Sequence, residues 1–121
     1  MTEIPRSKTY DLEDRTLAFA RAIRKFLKSL PRTIANAEDA KQLVRSSGSI
    51  GANYIEANES LSKKDFFMRA KICRKEAKET GYWLRLIETG NNKDIEHERL
   101  ALHQESHELM NIFGAIIQKS R

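Results

Sequence analysis

Proline occurs only at Pro5 and Pro31, and none interrupts the chain from residue 32 to residue 121. A helix interior excludes proline, which lacks an amide donor and clashes with the preceding turn. The long proline-free stretch therefore permits long helices, and the apolar residues fall where helices need them. Leu12, Thr16, Phe19, Ala20, Ile23, Phe26, Leu27 and Leu30 recur three and four apart, the spacing of a single buried stripe. Asp11 is suited to cap this helix, with Asp14 three residues on. The pattern predicts a first helix over 12–30.

Three more helices follow by the same reasoning. Asn36 is a start signal, with Glu38 and Asp39 in the first turn where negative charge complements the helix dipole. The stripe Ala40, Leu43, Val44, Ser47, Ile50, Gly51, Tyr54 and Ile55 then predicts a helix over 37–59. Ser62 with Asp65 opens a third, over 63–89, whose buried line is Phe66, Ala70, Cys73, Ala77, Thr80, Leu84 and Ile87. Gly90, Asn91 and Asn92 should end it. Asp94 can cap a fourth helix over 94–119, with Ile95, Leu102, Leu109, Phe113, Ile116 and Ile117 on one side. No segment alternates with period two, so no sheet is expected. The fold class is all-α, an antiparallel up-and-down four-helix bundle forming one domain over 1–121. With 40% hydrophobic and 32% charged residues, the chain has enough apolar side chains for one core.

No apolar run reaches the roughly 20 residues a membrane span needs, and Met1 to Tyr10 lacks the apolar stretch of a signal peptide. No membrane association is expected, and the expected location is the cytoplasm. Cys73 is the only cysteine, so neither an internal disulfide nor a CxxC motif is possible.

The second helix is rich in small residues: Ser46, Ser47, Gly48, Ser49, Gly51 and Ala52. Glycine in a helix interior costs about 1 kcal/mol relative to alanine, so close approach of another helix, within the subunit or across an interface, should compensate. No GxxxxGK[ST] phosphate loop is present. Asn53 and Glu56, three apart, are read as structural polar residues that fix register.

The third helix carries the most informative surface. Lys64, Lys71, Lys78 and Arg85 lie seven apart and drift only about 20° per step, forming one stripe that Arg74 and Lys75 thicken. Helix one adds Arg21, Arg24, Lys25 and Lys28. Residues up to Gly90 hold 18 basic and 12 acidic side chains, against 4 and 5 in the remainder. Such a band is either a solvated face or a contact for a polyanion such as RNA or DNA. A second flank of the same helix holds Ile72, Glu76, Glu79, Trp83 and Leu86, which fit either an oligomer interface or an unusually wide core. An arginine from another helix would account for Glu76 and Glu79 without catalysis.

Evidence for chemistry is thin. His103 and His107 are spaced i, i+4 on helix four, but the segment is not HExxH, and the paired ExxH elements of di-iron bundles are absent. There is no GxSxG elbow. No metal, cofactor or catalytic residue is expected, and Cys73 reads as a small core residue.

Three segments carry a resemblance: Ser49-Ile50-Gly51-Ala52-Asn53-Tyr54-Ile55-Glu56-Ala57, Lys63-Lys64-Asp65-Phe66, and Lys75-Glu76-Ala77-Lys78-Glu79-Thr80-Gly81-Tyr82-Trp83-Leu84-Arg85-Leu86. In this order they resemble the bacterial four helix bundle protein family, also called the 23S rRNA-intervening sequence protein family, over about residues 10–119. Ala57 departs from the Gly that many members have there. Relatives are encoded within insertions in ribosomal RNA genes or alone, and a similar fold occurs in the accessory protein of diversity-generating retroelements, which partners a reverse transcriptase. The resemblance implies a homopentamer of antiparallel bundles arranged as a barrel with a basic surface, and it implies no known enzymatic activity. The expected function is a non-enzymatic oligomer whose basic surface contacts nucleic acid or a nucleoprotein partner. The alternative is a structural or protein-interaction oligomer that binds no nucleic acid.

Overall fold

The computed structural model describes residues 12–120. These form four α-helices, α1 (Leu12–Leu27), α2 (Ile34–Asn58), α3 (Lys63–Leu86) and α4 (Lys93–Lys119), with no strand among the described residues. The connections 28–33, 59–62 and 87–92 are too short for anything but antiparallel neighbours. The result is the expected up-and-down four-helix bundle. α2 packs on α1 and α3, and α4 closes the ring against α3 and, more thinly, against α1. α1 and α3 make no close backbone approach and so stand at diagonal corners.

The expected stripes converge on one core. Leu12, Phe19, Ile23 and Phe26 of α1 meet Leu43 and Ile50 of α2, Cys73, Ala77 and Leu84 of α3, and Leu102, Leu109 and Phe113 of α4. Tyr54 crosses this core to meet Phe113 edge-on, with ring centroids 5.6 Å apart. Ile55 does not join: it is 49% exposed, so the α2 stripe is narrower than its spacing implies.

The helix ends require several corrections. α1 stops at Leu27, where amides 28–30 turn back to carbonyls 25–27 in a tighter i→i+3 pattern. Its expected cap, Asp11, lies outside the described residues. α2 starts three residues earlier than expected, because Thr33 is the N-cap and its side chain accepts from the Asn36 amide at 3.0 Å. Asn36 is instead buried, donating to the carbonyls of Pro31 (3.0 Å) and Glu88 (2.9 Å) and accepting from the Glu88 amide (2.9 Å). It fastens two loops together at one end of the bundle. α3 opens as expected, with Ser62 accepting from the Asp65 amide at 3.1 Å. It ends at Leu86, four residues before Gly90. Gly90 and Asn91 both take left-handed φ angles, 65° and 62°, and shape the turn into α4. The cap of α4 is Asn92, which accepts from the Ile95 amide at 3.0 Å, rather than Asp94.

The small residues of α2 serve close packing within the subunit. A Cβ on Gly51 would lie 2.8 Å from Thr16 Oγ1 and 3.2 Å from Thr16 Cβ, so α1 sits directly on the α2 backbone there. On the other side, Thr80 of α3 donates to Ser46 Oγ at 2.8 Å in a fully buried contact.

Candidate functional site

The α2–α3 seam explains part of the polar flank of α3. Arg45 of α2 reaches Glu76 Oε1 at 3.3 Å and also pairs with Glu79, while the Trp83 indole donates to Glu79 Oε2 at 3.0 Å. The Trp83 hydrogen bond, with Arg45 adding to it against the opposing effect of burial, holds Glu79 below the usual carboxylate range. Glu76 is buried in this seam and Trp83 is half-buried against the core. The flank is thus partly a wide core. Ile72 is half-buried, and Leu86, at 45% exposure, faces solvent. Asn53 belongs to the same seam: it donates to Ser49 and accepts from Arg69 Nη1 at 2.9 Å. Glu56, by contrast, is exposed and lines a separate recess with Glu59, Asp65 and Met68.

The α3–α4 seam has a different character. Lys71, Arg74, Lys75 and Lys78 border one groove with Met110, Asn111 and Gly114 of α4. A second groove continues it toward the C-terminus of α3, sharing Lys78 and Met110 and adding Arg85, Tyr82, His103 and His107. Its floor is Ala77, Gly81 and Ser106, whose small side chains let the two helices come close. A Cβ on Gly81 would lie 3.0 Å from Ser106 Oγ and 3.6 Å from His103 Nε2, so the imidazole rests over the α3 backbone. No carboxylate lines either groove.

Ion pairing distinguishes this seam from the α1–α4 and α2–α3 seams. Arg15 makes a forked contact to Glu105 (2.8 Å) and reaches Glu108 (2.9 Å), tying α1 to α4, while Arg45 and Arg99 also hold carboxylates. Among the described residues, none of Lys64, Lys71, Arg74, Lys75, Lys78 and Arg85 forms an ion pair, and all are exposed. Lys71 instead sits over the Phe67 ring, 4.6 Å from its centroid. No carboxylate pairs with them along about 30 Å of helix, although Lys75 adds to the positive field on Glu79. Arg21, Arg24 and Lys25 are also exposed, but on α1, the corner diagonal to α3, with exposed Lys28 just after its end. The ten basic positions therefore do not form one continuous face.

His103 and His107 are the residues that sequence reasoning passed over. Their i, i+4 spacing placed them on one face, but only the packing of α4 on Gly81 shows that this face borders the basic stripe. Burial, followed by Arg85, His107 and Arg99, pushes the His103 imidazole below its ordinary value. Burial likewise pushes the Cys73 thiol up to about 12, against the core and 3.4 Å from the Ile50 carbonyl. Among the described residues, no group of three or more His, Cys, Asp or Glu is placed to hold a metal ion.

The model of the 23S rRNA-intervening sequence protein family matches residues 8–115, nearly the whole bundle. The chain belongs to that family. It is also similar to a crystal structure, at 1.70 Å resolution, of a protein of unknown function from the S23 ribosomal protein family of Bacteroides thetaiotaomicron VPI-5482. The two share 30% identity and a TM-score of 0.74 over 93% of this chain and 99% of that one. No curated protein matches the chain. No helix in the described residues is long and apolar enough to cross a membrane. The family resemblance read from Ser49 to Ala57 and Lys75 to Leu86 is thus established, together with the fold.

Proposed function

We propose that this family member is a non-enzymatic, oligomeric cytoplasmic bundle that contacts nucleic acid, alone or within a nucleoprotein, through the basic α3–α4 groove. The observation that carries the reading is the carboxylate-free groove whose lysines and arginines form no ion pair among the described residues, in a molecule that pairs Arg15, Arg45 and Arg99 with acids. A row of unneutralised cations at a groove is what a phosphate backbone needs, because each contact releases condensed counterions. Lys71, Arg74, Lys78 and Arg85 are the four contacts assigned here, with Lys64 and Lys75 at the margins.

Oligomerisation is supported by Leu61, Met68 and Leu86, which are 100%, 56% and 45% exposed and give α3 and the loop before it an uncovered apolar edge. Ile72 and Trp83 would extend that interface. Five subunits is the number the family resemblance implies. The same edge favours the second reading, a protein-interaction oligomer that binds no nucleic acid.

Titration of a single-stranded RNA and a duplex DNA at two salt concentrations separates the two. Four phosphate contacts predict that affinity falls roughly 50-fold for the single strand and roughly 150-fold for the duplex between about 50 and about 200 mM salt. Absence of salt-sensitive binding would leave the protein-interaction reading. Light scattering on the same sample gives the subunit number.

A further inference from the structure

The basic groove is not uniform along its length. Most of it is a row of flexible lysines and arginines, but at Gly81 it narrows to a recess of about 270 Å³. His103 lies over Gly81. Lys78 and Arg85 flank that glycine one helical turn to either side, and His107 follows His103 by one turn of α4. We propose that Lys78, Arg85, His103 and His107 form a discrete phosphate pocket within the groove, which takes one phosphate group of a bound nucleic acid and holds it more tightly when the imidazoles are protonated.

This inference rests on the nucleic-acid reading but adds a ligand group and a proton dependence to it. Space comes first: about 270 Å³ is roughly nine water volumes at about 30 Å³ each, room for a phosphate with part of its hydration. Charge comes second. From α3 the pocket is faced by Lys78, Arg85 and Tyr82; from α4 it is faced by His103, His107 and the Ser106 side chain. Nearby Arg99 adds further positive charge, although it is paired with Glu96. The other carboxylates of α4 at this level, Glu105 and Glu108, are engaged with Arg15 on the side facing α1. The Ser106 hydroxyl donates to the His103 carbonyl at 2.7 Å, leaving its oxygen as an acceptor. The four basic groups are thus the anion ligands.

The proton linkage follows from this arrangement. In the free protein, burial first, and then the neighbouring cations, push the His103 imidazole below its ordinary value. A phosphate in the pocket removes that repulsion and favours the imidazolium. Binding is then accompanied by proton uptake. Affinity is flat above the bound-state value, rises as pH falls from the bound-state to the free-state value, and levels off below it.

The test measures affinity for a single-stranded oligonucleotide at constant salt between about pH 8 and about pH 5.5. Each histidine raised by one unit on binding tightens the complex about tenfold at the acid end. His97→Gln, a change at an exposed position outside the pocket, should retain this pH dependence, whereas His103→Gln with His107→Gln should flatten it. His107→Gln alone, at an exposed position, provides a variant whose folding is not at risk. NMR titration of the imidazoles with inorganic pyrophosphate gives an independent readout: the His103 titration should move up and that of His97 should stay. Equal pH dependence in wild type and the double variant would overturn the pocket while leaving the groove as the binding surface. No oligonucleotide binding, with pyrophosphate still raising His103, would retain the pocket and remove the nucleic-acid reading. An unmoved His103 titration would overturn the pocket outright.

Discussion

Single residues decide how closely these helices approach, and α2 holds two glycines three positions apart with opposite roles. A Cβ on Gly48 would have only Arg24 Nη2 nearby, at 3.9 Å. Gly48→Ala should therefore recover the helix propensity that glycine loses, stabilising the protein by about 1 kcal/mol. Gly51→Ala gains the same propensity but drives its methyl into Thr16, whose hydroxyl is already fixed to the Leu12 and Glu13 carbonyls at 2.9 Å. Overpacking of this kind costs about 1–3 kcal/mol, so this variant should be the less stable of the pair. Urea denaturation of the two variants side by side checks the contrast. A glycine needed for space was foreseeable in the Ser46 to Ala52 run; which glycine it is depends on the partner helix. Asn36 teaches the same lesson. Its chemistry suits an N-cap, and so does that of Thr33, and the choice is made by the Glu88 backbone 52 residues away. Asn36→Ala should cost about 1–3 kcal/mol in urea denaturation, since it leaves part-buried backbone groups on both loops without that partner.

Among the elements, α3 is the one whose two sides do different work. Toward α2 its polar groups are paired, through Arg45, Glu76, Glu79, Ser46 and Thr80; toward α4 they are unpaired. The α2 side leaves a pH signature. The Trp83 hydrogen bond lowers Glu79 in the folded protein, so its stabilisation is fully present above the ordinary carboxylate value of 4.5 and is lost as pH falls through the depressed folded value. Trp83→Phe should accordingly be destabilising at neutral pH, with a gap to wild type that narrows in acid. The packing lost with the indole ring is independent of pH and sets the residual gap. Thermal unfolding at a series of pH values measures both. The periodicity of Phe66 to Ile87 made the existence of α3 and its buried line legible, and the seven-residue lysine spacing made its stripe legible. The pairing of Glu76 and Glu79 was foreseen only as a type of contact, because nothing in the local sequence singles out Arg45. The end of α3 at Leu86 was not legible, since Gly90 serves the tight turn and not the helix terminus.

For the whole molecule, the bundle separates the two sets of basic residues that composition had grouped together. Hydrophobic spacing fixed the number and rough extent of the helices, but it does not fix which helices are neighbours, and that arrangement places Arg21, Arg24, Lys25 and Lys28 at the corner diagonal to α3. The same arrangement brings α4 against the lysine stripe and creates a groove that no single helix contains. The proposed polyanion surface is this groove, and not basic charge in general. Two quadruple variants with equal net charge test it: Lys71→Glu, Arg74→Glu, Lys78→Glu and Arg85→Glu on α3, against Arg21→Glu, Arg24→Glu, Lys25→Glu and Lys28→Glu at the C-terminal end of α1. Each is titrated with the same oligonucleotide after circular dichroism has verified the helical fold. The α3 variant should lose binding and its salt dependence, while the α1 variant should weaken binding only slightly through long-range charge. Equal loss in both, or retained binding in the α3 variant, would contradict that proposal.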